Sequence, residues 1–339
     1  METNTSAMVV SHGDPLCLKL VTTDIPKPGP KEVRVKIIVA GVGWADIMAR
    51  RGGYPLAPSL PFVPGYDFAG IVDEVGDEVS EFNIGENVVG LNPKYGCYTQ
   101  YLSISTDLLV KYPKQLSAAK VCALSLNYLT AYCMLFTKAN VQPQQTILVH
   151  SAAGGVGSAL AQLANQFGVR VLGTASSNKQ ETLKELGVCP IDHYQNDFVQ
   201  EVLSYCPRGV DAAFDSVGGA HLNRTVKTVK KGGIAVSYGF SGGSFGGLFK
   251  MIAGVVQLGI LNILPNGKSV NFCALPSEVD KNRQWYKQTL TQLINMLERE
   301  EINPIISSVV PLSQVHKAHQ ELESGQCIGK VLIKCAETT

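Results

Sequence analysis

From Thr146 onward the chain alternates short apolar runs with helical patterns, and this alternation is the feature that most constrains its fold. The series begins with TILVH, SALAQLANQFG, VRVLGTA and NKQETLKELG, and it continues through DAAFDSV, HLNRTVKTVKKGG and IAVSYG. Strands that alternate with helices form βαβ units, whose strands run parallel and are covered by helices on both faces. The sequence therefore predicts an α/β fold with a doubly wound parallel sheet in this part of the chain.

A glycine-rich stretch, HSAAGGVGSALAQLA, joins the first of these strands to the first helix. It matches the G-x-G-x-x-G pattern of dinucleotide sites, with Ala152 in the first glycine position, Gly154 in the second and Gly157 in the third. Glycine lets a pyrophosphate approach the helix N-terminus, where free N–H groups and the helix dipole favour negative charge. A tight turn with nothing bound is the alternative. The residues predicted to hold the cofactor here are Ala153, Gly154, Gly155, Val156 and Gly157.

The end of the second strand bears on which dinucleotide binds. NAD sites usually place an Asp or Glu there to hold the ribose hydroxyls, but this strand ends GTASSNKQ, with no carboxylate before Glu181. Ser176, Ser177 and Lys179 offer two hydroxyls and an ammonium, which suit a 2′-phosphate. The sequence thus favours NADPH over NADH, although these residues could simply cap the next helix.

Two later strands end in DSVGG and SYGFSGG. In an open parallel sheet, ligands bind at the carboxyl edge of the strands. We therefore expect Ser216, Val217, Gly239 and Phe240 to lie at the ribose and nicotinamide end of the cofactor, with ordinary turns as the alternative.

The first 110 residues show a different pattern, of short β-rich runs separated by turn residues. Examples are VRVKIIVAGVG, FAGIVDEVG and NVVGL, which predict an all-β or barrel-like region. The stretch SAAKVCALSLNYLTAYCMLF then predicts a buried helix. Near the C-terminus, VVPLSQVHKAHQELESG and IGKVLIKC read as a helix and a strand that could return to the first region.

Composition narrows the range of partners and compartments. The 29 basic and 28 acidic side chains give a net charge of +1, which does not indicate a nucleic acid or an anionic membrane as partner. Nine scattered cysteines with no CxxC pair, and an N-terminus without a signal-peptide pattern, predict a reduced cytoplasmic protein. The largely apolar part of segment 245–264 that follows Lys250 has about fourteen residues, too few to span a bilayer, so a buried or interface helix is favoured over membrane contact.

Four motifs, in order, resemble the medium-chain dehydrogenase/reductase superfamily. They are GVGWADIMARRGGYPLAPSLPFVPGYDFAGIVDEVG, LSLNYLTAYCML, HSAAGGVGSALAQLA and IGKVLI. The sequence is most similar to the zinc-independent quinone oxidoreductase (zeta-crystallin) branch and the synaptic vesicle membrane (vesicle amine transport) group. The resemblance implies a GroES-like β-barrel catalytic domain from residues 1–122 and 276–339, and a Rossmann domain from residues 123–275.

The resemblance also implies roles for individual residues. Zinc-dependent members carry a Cys in the loop that reads GVGWAD here and a His-Glu pair where this chain reads GYDFAG, so no metal is expected. Gly43 stands where relatives usually have an asparagine, whereas Asp46 is retained. Tyr54, Asn127 and Thr130 are implied to line the substrate site, with Tyr54 hydrogen-bonding the acceptor carbonyl or, alternatively, only stacking on the barrel. The further implied cofactor contacts are Asp46, His193, Tyr194 and Lys330.

These features together predict an oxidoreductase. Without a Lewis acid, hydride must pass to an acceptor that is already electrophilic, so we expect an NADPH-dependent reductase of a quinone. Reduction of an α,β-unsaturated carbonyl is the alternative, because the same fold serves both reactions. A third possibility, from another class, is an NADPH-binding protein that acts at membranes or in lipid handling without turnover. The resemblance further implies a homodimer, with residues 245–275 as a candidate contact.

Overall fold

Two units divide the chain. The first unit comprises Met1–Leu129 and Pro276–Thr339, and the second unit comprises Thr130–Leu275. The first boundary thus falls after Leu129 rather than after residue 122. The protein is represented by a computed structural model that describes residues 3–239 and 247–336, with the backbone alone for residues 247–252.

The strands and helices of the described residues are as follows. The strands are β1 (Thr3–Val9), β2 (Leu18–Asp24), β3 (Glu32–Val42), β4 (Asp67–Val75), β5 (Asn87–Leu91), β6 (Tyr101–Ser105), β7 (Leu109–Lys111), β8 (Thr146–Val149), β9 (Arg170–Ala175), β10 (Cys189–Asp192), β11 (Val210–Asp215), β12 (Val229–Ser237), β13 (Ser269–Phe272), β14 (Ile306–Pro311) and β15 (Lys330–Lys334). The helices are α1 (Trp44–Arg50), α2 (Ala118–Ala123), α3 (Leu129–Tyr132), α4 (Gly155–Gln166), α5 (Gln180–Glu185), α6 (Phe198–Tyr205), α7 (Ala220–Thr228), α8 (Gly247–Ile263), α9 (Leu275–Lys281), α10 (Arg283–Glu298) and α11 (Val315–Glu323).

The first unit is built on a largely antiparallel sheet. Its strands lie in the order β14-β15-β3-β4-β5-β7, with β6 also paired to β3. Only β14 and β15 run parallel, and β1 and β2 form a separate antiparallel pair. Along β3, alternate residues Val33, Val35 and Ile37 are fully buried, as a strand with one face on the core requires. The β-rich region predicted from the sequence is confirmed.

The second unit contains a six-stranded, fully parallel sheet in the order β10-β9-β8-β11-β12-β13. Counted from β8, this order is 3-2-1-4-5-6, which is the order of the Rossmann dinucleotide-binding sheet. Strand residues such as Leu148 and Leu172 share one buried cluster with helix residues such as Phe198 and Leu222. The predicted doubly wound sheet is therefore confirmed.

Two helices differ from the sequence pattern. The helical pattern HLNRTVKTVKKGG suggests a helix as far as Gly233, but α7 ends at Thr228 and β12 begins at Val229, because Val229 pairs with Val210 of the neighbouring strand.

The helical segment from Ala118 to Lys138 includes two π-helical stretches, Leu124–Tyr128 and Cys133–Lys138. Among the described residues it is the one helix long and apolar enough to cross a membrane, but most of it is buried inside the protein, as in a core helix.

Helix α8 exposes apolar side chains. Val255, Val256, Ile260 and Ile263 are between 52% and 83% exposed, whereas Leu261 is buried. The expectation of a buried helix is therefore wrong for this face. An interface role for the segment stays a prediction, and its residues 245 and 246 lie outside the described part of the chain.

Candidate functional site

The turn between β8 and α4 shows why glycine is required at Gly157. A Cβ atom there would lie 2.3 Å from the carbonyl oxygen of Ser151 and 2.7 Å from the Cα of Ala152. Both contacts are with backbone atoms, which cannot move aside cheaply. Gly157 thus allows the helix to pack closely on the end of the strand, and its contribution to a ligand site is indirect.

Gly154 has a different environment. It is the N-cap of α4, and a Cβ atom on it would meet one atom within 4 Å, the Ser151 carbonyl oxygen at 3.2 Å. The first N–H groups of a helix have no acceptor within that helix, so those of Gly155 and Val156 are available to an anion at this end. Ala153, which precedes them, is buried. The turn therefore fits the pyrophosphate of a dinucleotide through backbone atoms and the dipole of the twelve-residue helix α4.

The carboxyl end of β11 is attached to this turn. The Ser151 and Ser216 hydroxyl oxygens lie 2.9 Å apart, and a Cβ atom on Gly239 would lie 2.6 Å from the Ser216 carbonyl oxygen. One oxygen of Asp215 accepts hydrogen bonds from the backbone N–H groups of Val217 at 2.8 Å and Gly218 at 2.6 Å. The structure thus brings Ser216, Val217 and Gly239 to the same edge as the glycine turn. Phe240 lies outside the described residues.

The residues after β9 form the predicted 2′-phosphate group. Ser176 donates a hydrogen bond to the side chain of Asn178 at 2.7 Å, Ser177 is exposed, and Lys179 is largely buried. A carboxylate is also present: a hydrogen bond from Ser177 lowers the pKa of Asp192. Asp192 ends the adjacent strand, where it pairs with Ala175, and its side chain accepts from the Tyr194 N–H at 2.9 Å.

Sequence reasoning missed this carboxylate because it searched for an acidic residue only along the second strand. The signal that could have found it was the ending of the following strand, CPID, which reaches the same edge of a parallel sheet.

His193 and Tyr194 follow Asp192 directly. Their rings lie 4.5 Å apart, and Tyr194 is 76% exposed. Burial is the main cause that lowers the pKa of His193, and the charge of Lys179 lowers it further. The structure therefore places this aromatic pair next to the Ser177 and Lys179 group, and its role at the adenine end of a dinucleotide stays a prediction.

A buried hydrogen-bond network, which sequence reasoning did not find, lies beneath this edge. The second oxygen of Asp215 lies 2.7 Å from His221 Nδ1 and accepts from the Thr225 hydroxyl at 2.6 Å. Thr225 also lies 3.0 Å from His150 Nε2, and the Nδ1 of that ring lies 3.0 Å from the hydroxyl of Thr174. Burial lowers the pKa of His150 to about 3. Burial alone would raise the pKa of Asp215, but the bond from His221 and the nearby imidazoles hold it below its usual range.

The ligand-type atoms of His150, Asp215 and His221 lie within 4.8 Å of one another, which is close enough to hold a metal ion. Both oxygens of Asp215 and both ring nitrogens of His150 are, however, already within hydrogen-bonding distance of protein groups. We interpret the group as a hydrogen-bond network that fixes the Asp215 side chain beneath the carboxyl edge.

Tyr54 and Asn127 belong to the first unit, and Thr130 to the second. Tyr54 follows α1, and its ring packs edge-on against that of Tyr95, with centroids 6.4 Å apart. Burial raises its pKa, so the phenol stays protonated. Asn127 lies in the first π-helical stretch and Thr130 in α3, and both are buried.

Two residues predicted to contact the cofactor have other roles in the structure. The Asp46 side chain is fully buried and accepts hydrogen bonds from Gly43 N–H at 2.8 Å and Gly65 N–H at 2.9 Å. The Lys330 ammonium lies 2.8 Å from the Asp67 carboxylate, and the Lys330 side chain is only 2% exposed. Both side chains are held by partners inside the first unit, and their assignment to cofactor binding stays a prediction.

Comparisons with known proteins agree with this architecture. Residues 29–114 match the alcohol dehydrogenase GroES-like domain, and residues 186–333 match the zinc-binding dehydrogenase family. The synaptic vesicle membrane protein VAT-1 homolog of Rattus norvegicus is 34% identical over 316 residues, which are 91% of this chain and 78% of that protein. A probable quinone oxidoreductase of Schizosaccharomyces pombe is 32% identical over 336 residues, which are 98% of each chain.

Among solved structures, Escherichia coli quinone oxidoreductase complexed with NADPH matches with a TM-score of 0.88 at 27% identity, covering 97% of this chain and 99% of that one. The fold that this chain shares with that NADPH complex includes the parallel sheet that carries the glycine turn.

Proposed function

Because the chain belongs to the medium-chain dehydrogenase/reductase family, we propose that this oxidoreductase uses NADPH to reduce a quinone. The observation that carries the proposal is the turn at Gly154, where an open backbone position and the N-terminus of α4 suit a pyrophosphate. A quinone oxidoreductase among the relatives supports the same acceptor for this chain.

NADPH rather than NADH is favoured by the group at the end of β9. The 2′-phosphate is a dianion that needs donors and positive charge, and Ser176, Ser177 and Lys179 supply them. The negative charge of Asp192 would repel the 2′-phosphate. Its carboxylate, however, already accepts hydrogen bonds from Ser177 and from the N–H of Tyr194. We assign the positive charge that favours the 2′-phosphate to Lys179. The same charge lowers the pKa of the neighbouring His193.

The acceptor is proposed from the chemistry of the first unit. Gly43 and Tyr66 stand in the loops that carry the Cys and the His-Glu pair in zinc-dependent relatives, so the chain does not present those ligands. Carbonyl polarisation then falls to hydrogen-bond donors, which suffices for an acceptor that is already electrophilic. A quinone meets this condition, and an α,β-unsaturated carbonyl is the second candidate.

A binding role without turnover is the remaining alternative, and the exposed apolar face of α8 favours it. The same face supports the proposal that the protein forms a homodimer through residues 245–275. No disulfide joins any of the nine cysteines, all of which lie in the described part of the chain, and this supports the proposal that the protein works in the reducing cytoplasm.

The test of the proposed function is a comparison of acceptors. NADPH oxidation is followed with an ortho-quinone and with an α,β-unsaturated ketone, and the products are identified. We expect turnover of the quinone to hydroquinone. Turnover of the ketone alone would replace quinone reduction by enone reduction. Tight NADPH binding without turnover of either acceptor, together with flotation of the protein with liposomes, would support the binding role.

A further inference from the structure

The turn that follows β11, residues 216–219, contains two consecutive glycines. Gly218 has a φ of 75° and Gly219 has a φ of 56°, in the left-handed region that residues with a side chain rarely adopt. A Cβ atom on Gly219 would meet no heavy atom of the described residues within 4 Å, so the backbone conformation, and not a lack of space, requires glycine there. Because glycine is the most flexible residue, this turn depends on hydrogen bonds to stay in one conformation.

The strand before the turn and the helix after it supply the first of these bonds. The Asp215 carboxylate, at the end of β11, accepts from the N–H groups of Val217 at 2.8 Å and Gly218 at 2.6 Å. Gly219 is the N-cap of α7, and its carbonyl oxygen accepts from the N–H of Leu222 at 3.1 Å. All these donors and acceptors lie within a few residues of the turn, so the bonds join it only to its own flanking elements.

A further attachment comes from Gln257 of α8, which is 38 residues away from Gly219 along the chain. The side-chain amide nitrogen of Gln257 donates to the carbonyl oxygen of Gly219 at 2.7 Å and to the Asn223 side-chain oxygen at 2.8 Å. A backbone carbonyl oxygen can only accept a hydrogen bond. The NH₂ group of the amide, and not its oxygen, must therefore face Gly219, and both of its N–H groups hold the start of α7.

The core of the second unit fixes the position of Gln257. Leu261 lies four residues further along α8, on the same face of the helix, and it is buried in one hydrophobic cluster with Leu222 and Val226 of α7. Leu258 packs against the same cluster. These apolar contacts hold α8 against α7, and they keep the half-buried amide of Gln257 within reach of the turn.

We infer that Gln257 is a positioning residue for the cofactor. By holding the carbonyl oxygen of Gly219, it keeps residues 216–219 in the conformation that receives the ribose and nicotinamide half of NADPH. This inference rests on the NADPH-binding part of the proposed function, in which Ser216 and Val217 contact that half. Gln257 acts through the turn and not by contact with the cofactor. Without this anchor the turn samples other conformations, and the affinity for NADPH falls with the fraction of molecules that are ready to bind.

The test uses Gln257→Met and Gln257→Ala, with Asn262→Leu as the matched control. Both Gln257 variants remove the donors, but methionine keeps the length of the side chain and alanine does not. Asn262 lies on the same helix, and its amide bonds to the N–H and the carbonyl oxygen of Val270 in β13, at 2.8 Å each. We expect both Gln257 variants to bind NADPH about 2- to 10-fold more weakly in calorimetry, as for a lost hydrogen bond. Asn262→Leu should bind NADPH like the wild type.

The half-cofactor 2′,5′-ADP gives a readout that a merely structural role would not leave unchanged. It carries the adenine and the 2′-phosphate of NADPH but lacks the nicotinamide half, so the conformation of residues 216–219 should not affect it. We expect its affinity to be the same in the wild type and in all three variants. Thermal unfolding of the same samples checks that each variant is folded.

The outcomes separate the inference from the proposed function. Equal losses of affinity for NADPH and 2′,5′-ADP would indicate a general structural role, and a loss in Gln257→Ala but not in Gln257→Met would indicate packing; either result overturns the inference. Unchanged NADPH affinity in both Gln257 variants overturns it as well and leaves the proposed function intact. A wild-type protein that binds no NADPH rejects the proposed function, and this inference with it.

Discussion

The Lys330 ammonium and the Asp67 carboxylate form an ion pair of 2.8 Å inside the first unit, with 2% and 0% of their side chains exposed. Removing one member leaves a buried charge without its counterion, so Lys330→Met should lower the free energy of unfolding by about 3–5 kcal/mol. Urea unfolding measures this. The control is Lys184→Met, which breaks an exposed pair with Glu181 and should cost less than about 1 kcal/mol. Equal losses in the two variants would contradict a structural role for the buried pair.

Asp46 makes stability depend on pH. Burial raises its pKa to about 6, against the opposing effect of hydrogen bonds from Gly43 and Gly65. A carboxyl whose pKa is higher in the folded chain stabilises the fold below its unfolded pKa of 3.8, and this contribution is lost as pH rises through about 6. The difference corresponds to about 3 kcal/mol. Urea unfolding of Asp46→Asn and wild type from pH 4 to pH 7 should therefore show the variant gaining on the wild type by roughly that amount. A difference in unfolding free energy between variant and wild type that does not change with pH would contradict the raised pKa of Asp46.

Alanine substitutions at Gly154 and Gly157 should affect different properties, cofactor affinity at the first position and stability at the second. A Cβ atom on Gly157 meets backbone atoms at 2.3 Å and 2.7 Å, whereas one on Gly154 meets a single oxygen at 3.2 Å. We expect Gly157→Ala to lower the melting temperature. Gly154→Ala should keep a melting temperature near that of the wild type but bind NADPH at least about tenfold more weakly, because the methyl group occupies the approach to the helix N-terminus. Calorimetry and thermal unfolding distinguish the two, and normal NADPH binding by Gly154→Ala would place the cofactor elsewhere.

Asp215 should support cofactor binding from below. It holds the N–H groups of Val217 and Gly218, so Asp215→Ala should weaken NADPH binding about tenfold by releasing this turn. The matched control is Asp211→Ala at the opposite end of the same strand, where the carboxylate accepts from the Thr146 N–H at 2.8 Å and pairs with Lys230. That variant should bind NADPH normally. Equal losses in both variants would indicate general destabilisation of the sheet.

The choice between NADPH and NADH should follow the charges next to Ser177. Asp192→Asn removes a negative charge near the proposed 2′-phosphate and should raise NADPH affinity several-fold, whereas Lys179→Gln should lower it. NADH, which lacks this phosphate, should respond little to either change. Calorimetry with both cofactors gives the ratio of affinities. A proportional effect on NADH would show that the group acts on folding or on the shared part of the dinucleotide.

The sequence predicted what is encoded locally. Each strand and helix of the second unit carries its own periodicity, so the alternation from Thr146 was enough to predict a parallel sheet. The prediction of where α7 ends was wrong because Val229 belongs to β12, where it pairs with Val210 of another strand. No local pattern contains that contact.

The candidate site was predicted in part for the same reason. The glycine turn is a continuous motif, but Ser177 and Asp192 meet only because two strands end at one edge. Likewise, the sequence presents Lys330 as a charge on an apolar strand, and the structure alone shows that Asp67 lies beside it.

The most direct test of the proposed function is the steady-state oxidation of NADPH and of NADH by the wild-type protein, at equal concentrations, with an ortho-quinone as acceptor. We predict quinone turnover with a clear preference for NADPH, one hydroquinone being formed for each NADPH consumed. Tight NADPH binding in the same samples with no oxidation by quinone would contradict the proposed reductase.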